Sequence, residues 1–85
     1  MYYLYILLCS DKSLYTGITN NIENRLQTHR DGEGSKYVRS RLPFRLIYTE
    51  KLENKSKALR RELEIKSWSR EEKIKNLNLK LSFSI

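Results

Sequence analysis

The sequence predicts an α+β domain that opens with an antiparallel hairpin and closes with helices. Three observations carry that expectation. A continuous aromatic and aliphatic run, Tyr2 to Cys9, stands at the start. A second short run follows it across a polar turn signal, Ser10-Asp11-Lys12-Ser13. Gly and Pro are scarce, three and one in 85 residues, so most of the chain should lie in regular elements.

Tyr2 to Cys9 has the length and composition of a strand buried on both faces, and therefore central in its sheet. Leu14 to Thr19 reads as the second strand of the hairpin. Gly17 within it marks a place where a side chain would be in the way. A helix should open at Asn20-Asn21-Ile22-Glu23, with Asn20 as cap and Glu23 in capping-box position. Ile22 and Leu26 form its apolar stripe, and it should stop near Asp31-Gly32. Gly34 to Arg41 is basic and polar, either a short helix or an ordered loop, and Pro43 ends it. Phe44 to Thr49 reads as a third strand.

A long helix should run from near Asn54 or Ser56 to Trp68. Ser69-Arg70-Glu71-Glu72 restarts the pattern with a fresh capping box, giving a shorter helix to about Leu77. The tail 78–85 has no clear pattern and is expected to be loose. No repeat, low-complexity segment or linker interrupts the chain, so residues 1–85 are expected to form one domain with a modest core.

Composition narrows the function. Hydrophobic residues make up 39% and charged residues 32%, which fits a folded chain rather than a disordered one. The net charge is +7, from 17 Lys and Arg against 10 Asp and Glu. On so short a chain that field attracts polyanions, with plain solubility as the alternative. The single cysteine, Cys9, excludes an internal disulfide and a cysteine-based zinc site; in its apolar run it reads as a small core residue. The run from Leu4 to Cys9 is too short to span a bilayer, and no signal peptide is expected before it. The expected location is the cytoplasm.

Several polar residues are candidates for chemistry. Arg25 and His29 are four apart, one turn along the same helix face at the edge of the core. An arginine there can hold a phosphate through paired N–H groups, and a histidine can donate to a phosphate or a leaving group. The same pair also reads as exposed cations near a helix end. Glu62 is the odd member of a stripe in which Ala58, Leu59 and Ile65 should face inward. A carboxylate there needs a partner. Either a nearby Arg or Lys or a hard divalent cation would serve. Glu64 should point outward.

Tyr5 and Tyr15 sit on the paired strands as packing residues or rim hydroxyls. An odd loop such as Ser10-Asp11-Lys12 puts both on one face, and an even loop puts them on opposite faces. A bulge near Gly17 would re-aim one of them. Lys36, Tyr37, Arg39 and Arg41 interleave cations with an aromatic ring. That segment reads either as a solvated loop or as a patch that follows a phosphate backbone and stacks on a base.

Taken together these positions resemble the GIY-YIG nuclease family, over roughly residues 2–77. Tyr5-Ile6 resembles the end of the first family motif, with Tyr3 and Leu4 where the family name has Gly and Ile. Tyr15-Thr16-Gly17 resembles the second motif. Arg25 stands eight residues after Gly17, and His29 follows at four. Glu62, within Ala58-Leu59-Arg60-Arg61-Glu62, resembles the family's metal-binding glutamate. The resemblance is closest to small stand-alone bacterial members.

That resemblance implies a small three-stranded antiparallel sheet flanked by helices, in the order β-β-α-(α)-β-α-α. It also implies an endonuclease that hydrolyses phosphodiester bonds in DNA. Glu62 would hold one Mg²⁺ or Mn²⁺ on the scissile phosphate. Tyr5 would be the general base, although a free tyrosine, with a pKa of about 10, is a poor one near neutrality without a neighbouring cation. Arg25 would supply that cation and steady the transition state. His29 would donate or orient, and Tyr15 would position the water or phosphate, the two tyrosines being exchangeable. Two alternatives stay open: a nucleic-acid-binding module without catalysis, and a nuclease that needs a protein partner for specificity.

Overall fold

The computed structural model describes residues 1–81. The first strand, β1 (Tyr2–Cys9), turns back into β2 (Leu14–Thr19). Two helices follow, α1 (Ile22–Arg30) and the short α2 (Lys36–Arg39). The chain returns as β3 (Phe44–Leu52) and ends in α3 (Lys55–Lys66) and α4 (Arg70–Asn76). The sheet is antiparallel throughout, in the order β2-β1-β3. The apolar run is therefore the central strand, as its composition implies, and Leu4 to Cys9 are buried. No helix among the described residues is long and apolar enough to cross a membrane.

Alternation along β1 divides the core into two layers. Leu4 and Ile6 pack on one face with Ile65, Leu79, Trp68 and Ile74 from the C-terminal third of the chain. Tyr5 and Leu7 pack on the other face with Leu26 of α1, Val38 of α2, Tyr15 and Phe44. A register shift against β3 between Ile6 and Leu7 leaves Ile47 without a partner across the ladder. Beyond Thr49, where the strand was expected to end, β3 continues to pair with β1 as far as Leu52 opposite Tyr2.

The hairpin has the odd loop. Ser10, Asp11 and Lys12 lie between Cys9 and Ser13, closed by Lys12 N–H to the Cys9 carbonyl and Cys9 N–H to the Ser13 carbonyl, each 2.9 Å. Lys12 takes a positive φ of 69°, the left-handed residue that a three-residue hairpin requires. This loop pairs Leu7 with Tyr15 and Tyr5 with Gly17, so the two tyrosines share one face.

Four local expectations change. The cap of α1 is Asn21, which accepts from Asn24 N–H at 3.0 Å, rather than Asn20 with a Glu23 box. Thr19 causes the shift, because its hydroxyl both accepts from Asn21 N–H and donates to the Asn21 carbonyl, closing the exit from β2. On α3 the inward stripe is Ala58, Arg61, Glu62 and Ile65, while Leu59 is 42% exposed. Two polar residues thus occupy the i+3 and i+4 positions of that stripe. Arg61 leads to β3, pairing with Glu50 at 2.9 Å, and also pairs with Glu64, which is not merely solvated. Finally, Leu79 and Leu81 pack on the core, so the start of the tail is held; residues 82–85 of the expected loose end lie outside the described residues.

The helix α3 stops at Lys66 with Ser67 as its C-cap, short of Trp68. Asn54 caps α3, and Ser69 with Glu72 forms the capping box of α4. The segment after Gly34 is a short helix capped by Ser35.

Candidate active site

The face of the sheet that carries Tyr5 and Tyr15 meets α1, and there the aromatic side chains close around His29. The Tyr5 hydroxyl and His29 Nε2 share a buried hydrogen bond of 2.9 Å, its direction set by the imidazole tautomer. Ring centroids lie 6.3 Å apart for Tyr5 and Tyr15, 5.9 Å for Tyr5 and His29, and 5.5 Å for Tyr15 and His29. Phe44 of β3 closes the far side, 6.1 Å from the imidazole. These spacings are those of edge-to-face aromatic packing.

Two glycines make room for the rings. The Tyr5 phenol lies over Gly17, where a Cβ would stand 2.5 Å from the hydroxyl oxygen. The imidazole lies against Gly34, where a Cβ would stand 2.5 Å from Nδ1. Gly34 was missed as a site residue by sequence reasoning. Its signal was its rarity, since it is one of three glycines in the chain.

Burial determines the electrostatics. His29 is 1% exposed, not a solvated cation at a helix end. Desolvation, reinforced by the positive charge of Arg25, holds its pKa below the usual imidazole range, so the ring stays neutral near pH 7. Nδ1 has no hydrogen-bond partner among the described residues. Tyr5 is 2% exposed, and desolvation pushes its phenol upward. Tyr15 and Glu62 add to that rise, and Arg25 opposes it. Burial thus favours the protonated form of the Tyr5 phenol. Tyr15 is only partly buried, at the rim of the same cluster.

Arg25 is half-buried one turn before His29, and its charge acts on both Tyr5 and His29. Glu62 stands on α3, and its negative charge adds to the rise of the Tyr5 phenol. Its side chain is 17% exposed and pairs with Lys66 at 3.3 Å, a loose surface-type contact. Nearby on β2, the buried Thr16 hydroxyl lacks a partner among the described residues.

The basic segment splits into two kinds of residue. Lys36 and Arg39 are exposed and line a shallow cavity of about 360 Å³ with residues 32–35. Arg41 is not a free phosphate contact, although the sequence suggested one. Its Nε pairs with Asp11 at 2.8 Å, and its Nη1 donates to the Tyr37 carbonyl at 3.1 Å. Its guanidinium lies 3.8 Å from the centroid of the Tyr37 ring. Tyr37 in turn stacks on Tyr15 at 5.9 Å. Asp11, on the hairpin turn, thus anchors a stack of Arg41, Tyr37 and Tyr15 that ends against His29.

Comparison with known proteins places this geometry in a family. The description "GIY-YIG catalytic domain" matches residues 1–78. A UPF0213 protein of Oceanobacillus iheyensis is 54% identical over 74 residues, covering 87% of this chain and 86% of that protein. A UPF0213 protein of Staphylococcus haemolyticus is 51% identical over 74 residues, covering 87% and 90%. The solution NMR structure of a UPF0213 protein from Bacillus halodurans superposes with a TM-score of 0.60 at 43% identity, covering 92% of this chain and 84% of that one. An E. faecalis protein, also solved by NMR, superposes with a TM-score of 0.66 at 40% identity, covering 91% and 82%.

Proposed function

This chain belongs to the GIY-YIG catalytic-domain family, and from that premise we propose that it is a divalent-cation-dependent endonuclease acting on DNA. The observation that carries the reading is the hairpin register. It sets Tyr5 and Tyr15 on one face, with His29 packed against both rings and the charges of Arg25 and Glu62 acting on the Tyr5 phenol. The net charge of +7 supports a polyanionic substrate. Residues 1–85 are read as one nuclease domain working in the cytoplasm.

The donor set suits magnesium or manganese better than zinc. Mg²⁺ is commonly held by one or two carboxylates, with waters and substrate phosphates completing its shell, and Glu62 offers one half-buried carboxylate. When bound, the cation supplies Lewis-acid stabilisation of the phosphate and leaving oxygen.

The side chains divide the remaining work. Arg25 binds the phosphate and balances charge as the pentavalent arrangement forms. Tyr15, at the rim, faces the substrate and orients the attacking water, whose proton it would take as the phenolate that a bound cation and Arg25 favour. This exchanges the two tyrosines relative to the first expectation, because burial favours the protonated form of the Tyr5 phenol. Tyr5 instead fixes the His29 imidazole through the 2.9 Å hydrogen bond. Neutral His29 packs on the Tyr15 ring and sets its orientation. Lys36, Arg39 and the partly exposed Tyr37 extend the surface along the backbone of the nucleic acid.

The test is Mg²⁺-dependent cleavage of single-stranded, duplex and branched DNA by the wild type, Glu62→Ala and Tyr15→Phe. Cleavage by wild type and loss of at least about 100-fold in each variant supports the reading. Salt-sensitive binding without any cutting would leave a nucleic-acid-binding module. Cutting only after addition of cell extract would point to a protein partner that supplies specificity.

A further inference from the structure

On the opposite side of the hairpin turn, a cavity of about 460 Å³ opens between the turn and α4. Lys12, Arg70 and Lys73 line it, with Asp11, Ser13 and Leu14. Among the lining residues the one carboxylate is Asp11. Asp11 is paired to Arg41 at 2.8 Å and accepts from Ser13 N–H and Oγ, so its charge is satisfied elsewhere. Glu72 is held in the capping box with Ser69, and Glu62 pairs with Lys66. The cations are not balanced in the same way. Arg70 donates to the Lys12 carbonyl at 2.5 Å, which draws the turn and the helix together without supplying a negative charge. Burial, Lys66 and Arg70 all oppose the protonated form of Lys73 and pull its pKa down.

Lys12 adds an independent observation. It occupies the left-handed position of the turn, φ 69°, where glycine or asparagine is the less strained choice. A lysine there places a cation at the mouth of the cavity at a conformational cost. Like charges converging on one cavity repel one another, and a bound anion removes that repulsion. The lining contains no aromatic ring, so nothing there stacks on a base; phosphate is the group it suits.

We propose that the cleft between the β1–β2 turn and α4, formed by Lys12, Arg70 and Lys73, is a second anion site that binds a backbone phosphate of nucleic acid outside the catalytic face. The site does not depend on catalysis. The turn that forms it also carries Asp11, whose ion pair with Arg41 supports the stack on Tyr15, so one turn joins the two surfaces.

The experiment uses the full chain labelled with ¹⁵N, without divalent cations. It is titrated separately with a short DNA duplex and with inorganic phosphate. The duplex is expected to shift the amides of Lys12, Ser13, Arg70 and Lys73. Lys73→Gln should weaken duplex binding about three- to tenfold and lower the salt slope by about one, as for loss of one phosphate contact. Lys12→Gly, which the positive φ suits, should weaken binding without loss of thermal stability. Shifts at these amides with phosphate but not with the duplex would overturn the backbone assignment in favour of a free phosphate ligand. No shift with either, or unchanged affinity and salt slope in both variants, would overturn the site. Because no cleavage is read, a protein that shows these effects but never cuts DNA would refute the nuclease reading alone.

Discussion

The phenol of Tyr5 occupies the space that a side chain at position 17 would need. A Cβ on Gly17 would lie 2.5 Å from the Tyr5 hydroxyl oxygen and 2.6 Å from Cζ. The two residues are directly paired across β1 and β2, so neither can move without disturbing the central strand. Gly17→Ala should therefore destabilise the fold by about 1–3 kcal/mol, as expected for overpacking. It should also break the Tyr5–His29 hydrogen bond. Chemical denaturation and the His29 ring resonances would check this. A variant with wild-type stability and unchanged ring signals would sink the claim.

His29 makes stability depend on pH. Burial and Arg25 lower its folded-state pKa below that of the unfolded chain. The unfolded state then binds more protons just below the unfolded value, about 6.5, so the native state loses stability as pH falls. The contribution is fully present above that value and is lost progressively down to the folded pKa. In His29→Gln this dependence should flatten over the same window. Urea midpoints measured across the window, with and without the substitution, provide the comparison; parallel curves would count against it.

Arg41 and Arg39 should behave differently although both lie in the same basic segment. Arg41→Ala removes the guanidinium stacked on Tyr37, a contact of about 0.5–1 kcal/mol, while its ion pair with exposed Asp11 adds little. Its expected mark is lower stability and a changed Tyr15 environment. Arg39→Ala should leave stability within about 0.5 kcal/mol and reduce the salt slope of DNA binding by about one. Thermal melts beside salt-dependent binding isotherms separate the two; the reverse pattern would restore Arg41 as a phosphate contact.

Glu62 should matter for activity far more than for stability. Its contact with Lys66 spans one helical turn and is worth about 0.2–0.5 kcal/mol. Glu62→Gln is isosteric and should change the unfolding free energy by no more than that, while lowering Mg²⁺-dependent cleavage by at least about 100-fold. A large loss of stability would identify Glu62 as a structural residue instead.

The sequence by itself determined what neighbouring residues can encode. The continuous apolar run marked the central strand, Asn54 and Ser69 marked helix starts, and the spacing of Tyr15, Gly17, Arg25 and His29 marked the family. Those signals are local, because propensity, capping and period act over one or two turns. Tertiary structure decided the pairings made across long separations. Tyr5 meets His29 across 24 positions, and Arg41 meets Asp11 across 30. The side of the sheet on which the tyrosines stand depended on a one-residue difference in loop length, settled by the left-handed Lys12. Composition could not distinguish a solvated His29 from a buried one, because the difference lies in Tyr5, Gly34 and Phe44 folding around it. The stripe on α3 departs from its sequence pattern at the exposed Leu59 for the same reason. Arg61 takes its place inside because β3 supplies Glu50, a partner that α3's own sequence does not contain.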